Sequence, residues 1–255
     1  MTQSLYQLNA WVIASLLLAG LVAVWAGGLW WGRKVCNAAT AGSKVDEASL
    51  ALMGLLLGFT FAMALQKHDN RREKLVEDSN SIGDFYTTAS LLREPVRSEL
   101  RDVVREYARY RLELARTPAL MAQANVDQVI GKINAMHGQM TELVRRAVDE
   151  NTPVVVPLVG TLNNLTSSHA ARLAAARDRL PGSIVALLFL AAIVSAGVLG
   201  RSQGIERKRA TMSTLFFIVL ITSTLYITLD LNQPGRGLIR VSQEPMERLL
   251  VSMGG

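Results

Sequence analysis

The sequence predicts an all-α membrane protein, with four transmembrane helices and a soluble helical bundle inserted between the second and the third. Three observations carry this. Four uncharged apolar runs, at residues 10–31, 48–65, 183–199 and 212–229, each approach the roughly 20 residues a helix needs to cross a bilayer. Residues 67–180 hold no comparable run, but their apolar positions recur at helical spacing. Half of the 255 residues are hydrophobic while 19% are charged, the mixture expected of long apolar runs beside a separate charged region.

The first run carries Trp11 at one end and Trp30 and Trp31 at the other, the placement of interfacial aromatic anchors. The segment before it, MTQSLYQLN, has no positive charge, and the run is longer than a signal-peptide core. It therefore reads as a retained helix stopped by Arg33 and Lys34. The second run passes into charged sequence with no proline, and with no glycine before Gly83. A single helix is expected to continue to about Asp84 as a rigid connection between membrane and insert.

Within the insert, Val96, Leu100, Val103, Val104, Tyr107 and Leu114 keep a helical period, as do Val129, Ile133, Met136, Met140, Leu143 and Val144. A third segment carries Leu162, Leu165, Ala170 and Leu173. Pro95, Pro118, Pro153, Pro157 and Pro181 punctuate these helices. No alternating strand pattern or internal repeat is present. After the fourth run, Asp230 is followed by Pro234, Gly235 and Gly237, which force a turn into a short amphipathic tail. The expected divisions are residues 1–66 (two spans), 67–181 (insert), 182–230 (two spans) and 231–255 (tail).

The short loops set orientation. Arg33, Lys34 and Lys44 lie between spans one and two, and Arg201, Arg207, Lys208 and Arg209 between three and four. This count puts both short loops in the cytoplasm of a bacterial inner membrane, with termini and insert outside. Lys67, Arg71, Arg72 and Lys74 after span two, Arg177 and Arg179 before span three, and Arg236 and Arg240 after span four pull towards a cytoplasmic insert.

Several function classes drop out. The net charge of +6 is modest and has no aromatic-interleaved basic patch, so no nucleic acid is expected as a partner. One cysteine, Cys36, excludes an intramolecular disulfide, and His68, His137 and His169 are scattered without metal-ligand spacing, so no cofactor is expected. HExxH, GxSxG, P-loop and GxGxxG patterns are absent, and Ser167 and Ser168 beside His169 are neighbours in sequence only. The chain is not expected to be an enzyme.

The remaining candidates are polar or packing positions. Gly54 and Gly58 share one face of span two and permit close helix approach, either to another span or to an oligomer seam or pore. Phe59 and Phe61 flank Thr60, the one hydroxyl in mid-span, and either phenylalanine could form a hydrophobic constriction. Asp69, Glu73, Glu77 and Asn80 line one face of the continuation, with Arg72 beside them. They read as solvated surface, as a structural network, or as the vestibule of an ion pathway. Asp230 could pair with Arg71 or Arg72, and Arg236 or Arg240 with Glu73 or Glu77. Arg97, Arg101, Arg105 and Arg109 form a stripe largely neutralised by Asp102, Glu106 and Glu113, which reads as a solvated face or, alternatively, an anion-binding surface.

Two blocks, LLLGFTFAMALQKHDNRREKLVEDSNSIGDFYTTASLL and LDLNQPGRGLIRVSQEPM, together with the order of two spans, insert and two spans, resemble the bacterial bestrophin-like domain family of unknown function. The resemblance covers nearly the whole chain. It implies a four-helix integral membrane protein remotely related to bestrophins, which are pentameric anion channels with a pore-lining helix near the start and phenylalanines at the neck. Phe59 and Phe61 are the positions that could fill that role. Bestrophins keep their soluble part in the cytoplasm, against the charge count above. Two readings follow. One is a homo-oligomeric anion channel in the lipid bilayer with span two at its axis. The other is a membrane-anchored interaction or sensing protein whose insert binds a partner.

Overall fold

The computed structural model describes residues 10–34, 44–116, 126–206, 212–233 and 238–254. They form α1 (Ala10–Lys34), α2 (Lys44–Ala89), α3 (Val96–Arg116), α4 (Val126–Asp149), α5 (Val155–Arg177), α6 (Gly182–Ile205), α7 (Met212–Leu231) and α8 (Glu244–Ser252). No strand occurs among the described residues. Helix α2 is unbroken over 46 residues, from the apolar run through the charged stretch and slightly past Asp84. Nothing in it, neither proline nor a helix-ending glycine, interrupts the hydrogen-bond ladder. Four helices are long and apolar enough to cross a membrane.

The chain divides into two compact units, Met1–His68 with Arg179–Ile239, and Asp69–Asp178 with Arg240–Gly255. In the first, α1 and α6 meet along glycines. A methyl group on Gly28 would strike the carbonyl of Gly197, one on Gly200 the carbonyl of Trp25, and one on Gly204 the carbonyl of Leu29. Only hydrogen side chains permit such an approach, which replaces side-chain packing by direct backbone contact. Trp25 Nε1 donates to Gln203 Oε1 at 3.1 Å, and Gln203 in turn donates to Thr214 Oγ1, tying α1, α6 and α7 together. Leu21, Met53, Leu188, Ala192, Ile218, Ile221 and Leu225 are buried between the spans. Leu16, Leu52, Phe59, Leu190, Phe216 and Leu220 face outward, an apolar exterior suited to lipid rather than water.

The second unit has the opposite polarity. Ile82, Phe85 and Ala89 of α2 pack with Leu100, Val104 and Tyr107 of α3, Met140 and Val144 of α4, and Leu158 and Leu165 of α5. Exposed ion pairs such as Arg145–Glu142 and Arg146–Glu99 cover its surface. Asn151, at φ 53°, makes the turn between α4 and α5, a conformation asparagine tolerates better than most residues. One expectation shifts. Ala170 and Leu173 face outward, because the buried face of α5 runs through Leu158, Leu162, Leu165, Ser168 and Ala175. The tail's helix α8 packs into this unit, since Met246, Leu250 and Met253 belong to its core and Tyr86 Oη donates to the Met253 carbonyl at 3.1 Å.

Candidate functional site

The apolar part of α2 presents an open face. Gly54 and Gly58 are exposed, and a methyl on either would meet nothing within 4 Å. Among the described residues, no helix packs closely against these two glycines. The close packing belongs to Gly28 and Gly32 of α1 and Gly200 and Gly204 of α6, which carry the same four-residue spacing. The two phenylalanines separate. Phe59 is 62% exposed on the open side, whereas Phe61 packs against the buried cluster of Ala64, Leu180 and Leu231. Thr60 is buried, and its hydroxyl donates to the carbonyls of Leu56 at 2.8 Å and Leu57 at 3.1 Å. Its hydroxyl proton is thus committed to its own helix.

Further along α2, Asp69, Arg72, Glu73, Glu77 and Asn80 are all exposed, and Glu77 pairs with Lys74 at 2.6 Å. Arg71 is buried and donates to the carbonyls of Ala175 at 3.2 Å and Asp178 at 2.7 Å, satisfying acceptors at the end of α5. Asp230 is also buried, and its carboxylate accepts from the amides of Leu238 at 3.0 Å and Ile239 at 2.9 Å. It thereby ties the end of α7 to Leu238 and Ile239 within its own unit. Arg240 is exposed, and Arg236 lies outside the described residues. In the arginine stripe, Arg97 pairs with Glu94, while Arg101 and Arg105 both donate to Tyr86 Oη.

The densest chemistry lies elsewhere, at the centre of the second unit. Asp78 of α2 is fully buried. Arg111 of α3 grips it through Nη2 at 2.9 Å and Nη1 at 3.4 Å, and Arg172 of α5 donates to the same Oδ2 at 2.9 Å. Arg172 also donates to Gln243 Oε1 at 3.2 Å, and Arg111 to Tyr107 Oη. Tyr107 Oη lies 3.2 Å from His137 Nε2 of α4, and the His137 ring is 5.4 Å from that of His169 of α5. Two guanidiniums share one carboxylate, so a positive charge remains even with both imidazoles neutral. Burial, followed by the nearby Arg111, holds His137 below the ordinary histidine range and takes His169 down to about 4. Burial also raises the Tyr107 hydroxyl. Among the described residues, no group of three or more His, Cys, Asp or Glu side chains could hold a metal ion.

Sequence reading passed over this cluster because the histidines have no shared spacing and Asp78 adjoins the charged stripe. The usable signal was register. Asp78 falls in phase with Leu75, Ile82 and Phe85, and Arg111 with Val104 and Tyr107, so each charge sits on its helix's apolar face.

The fold defines a multi-pass helical membrane protein whose second span continues into a helical unit built around buried charge. The chain belongs to the Bestrophin-like domain family, which matches residues 13–246. No curated protein and no solved structure matches it.

Proposed function

We propose that the protein is a homo-oligomeric anion channel in which copies of α2 meet around a central axis, with Phe59 at a hydrophobic constriction. The open face of α2 carries this reading: among the described residues a methyl on Gly54 or Gly58 would meet nothing within 4 Å, and both sit beside an exposed Phe59. Glycines on an apolar helix permit a second backbone to approach, and an aromatic ring at a narrow point gates by dewetting. Thr60 spends its proton on its own backbone, so the span offers an ion little to bind and the barrier falls at Phe59. Arg72, exposed on the charged continuation, is a basic residue available to draw anions in, with Lys67 a further candidate nearer the span. In this reading the second unit stands in water outside a bacterial inner membrane, the arrangement the short basic loops favour.

The buried cluster in the second unit favours a second reading, a membrane-anchored sensing protein. One preparation separates the two. Mass in detergent and chloride flux in liposomes should give a ring-sized assembly whose conductance changes at least about tenfold in Phe59→Trp, the scale of a changed pore barrier. A monomer or dimer without flux would overturn the channel and leave the second unit as the functional part.

A further inference from the structure

We infer that the centre of the second unit is a proton-responsive joint, in which protonation of His137 and His169 breaks the Arg111–Tyr107–His137 donor chain and loosens α4 and α5 from α2 and α3. This joint would act whatever role the membrane part of α2 plays.

The direction of the hydrogen bonds carries the argument. A guanidinium only donates, so the Tyr107 oxygen accepts from Arg111. The hydroxyl's own proton is then left for the atom 3.2 Å away, His137 Nε2. That bond requires a lone pair on Nε2, hence a neutral imidazole with its proton on Nδ1. A proton added at Nε2 turns the acceptor into a donor. Tyr107 is fully buried, so its hydroxyl cannot turn to water, and an unsatisfied buried donor results.

Charge acts the same way. The groups facing the imidazoles are Asp78 from α2, Tyr107 and Arg111 from α3, and Arg172 from α5, with Gln243 behind Arg172. Only one of these is acidic, and two arginines already share it. A third cation therefore meets repulsion without a new partner. His169 adds a further cost, because its Nδ1 is buried without a hydrogen-bond partner among the described residues, and its ring stands 5.4 Å from that of His137, so a charge on one opposes a charge on the other.

The sign follows from linkage. The unfolded chain takes up protons near 6.5, whereas folded His169 resists until about 4. Its stabilising effect is complete above 6.5 and falls as pH drops from 6.5 towards 4, where it levels off.

Hydrogen exchange on the full-length protein in detergent, corrected for intrinsic rate, reads this directly. Between pH 7 and about 4.5, peptides from α4 and α5 should lose protection by about tenfold or more, since each pKa unit is worth a factor of ten and half-burial reduces the full effect. Peptides from α1 serve as the reference. The double variant His137→Gln, His169→Gln should show a flat profile. An equal loss in that variant would assign the effect to carboxylates and overturn the inference. Should the variant not fold, histidine-selective NMR on the unmodified chain decides. An Nδ1-protonated His137 titrating well below 6.5 supports the joint, and one titrating at 6.5 or above refutes it.

Discussion

Glu77 and Asp78 are adjacent acids with opposite surroundings. Glu77 is exposed and pairs with Lys74 one turn away, while Asp78 is fully buried between Arg111 and Arg172. Removing one partner of a buried ion pair leaves the other charge uncompensated, at a cost of about 3–5 kcal/mol. Here two guanidiniums would be stranded together. Asp78→Asn should therefore destabilise the second unit by about that much, whereas Glu77→Gln should stay within about 0.5 kcal/mol. All four tryptophans, Trp11, Trp25, Trp30 and Trp31, lie in α1. Unfolding is thus better followed by far-ultraviolet circular dichroism than by tryptophan emission. Equal midpoints for the two variants would contradict the assigned burial. The difference between these neighbours was legible only through helical phase: Glu77 continues the run Asp69–Glu73, whereas Asp78 falls in step with Leu75 and Ile82. Which arginines would reach it was not legible, because Arg111 and Arg172 come from helices whose mutual placement depends on packing across the whole unit.

At the scale of helices, the uncharged runs made the spans readable, and the lack of a breaker made the length of α2 readable. The glycine pattern was a weaker guide, since the same spacing occurs at Gly28 and Gly32, Gly54 and Gly58, and Gly200 and Gly204. Spacing alone does not say which face finds a partner. The structure separates them: a methyl at Gly200 would meet the Trp25 backbone, one at Gly54 nothing. Gly200→Ala must push α1 and α6 apart, with an overpacking cost of about 1–3 kcal/mol. It should lower the thermal midpoint and the yield of monodisperse protein. Gly54→Leu should leave the midpoint nearly unchanged and shift the detergent mass towards smaller species, because its bulk matters only where another copy approaches. A Gly54→Leu chain that keeps its assembly size would count against the proposed seam. The Trp25–Gln203–Thr214 bonds are a smaller test. Polar links between membrane helices contribute on average about 0.6 kcal/mol, so Trp25→Phe should cost about that much.

Considered as a whole molecule, each unit is assembled from two separated stretches of chain, and the last stretch returns to the unit begun at Asp69. A nine-residue amphipathic helix such as α8 has too few apolar positions for sequence to say which core it joins. Its apolar side could equally have lain along a membrane surface. Instead Met246, Leu250 and Met253 complete the second core, Arg116 pairs with Glu247 at 2.7 Å, and Gln243 receives a bond from Arg172. Leu249 reaches within 3.0 Å of where a methyl on Gly83 would stand, so α8 lies close against α2. Ending the chain after Ile239 should therefore expose Tyr86 and the neighbouring core, and also remove the Gln243 contact from the charge cluster. Hydrogen exchange should show protection falling along residues 75–89 and through α3, while α1 and α6, joined by their own glycine seam, keep theirs. Unchanged protection in α3 would mean that the core closes without α8. Loss spread equally over α1 and α6 would mean that the two units unfold together rather than as separate cooperative bodies.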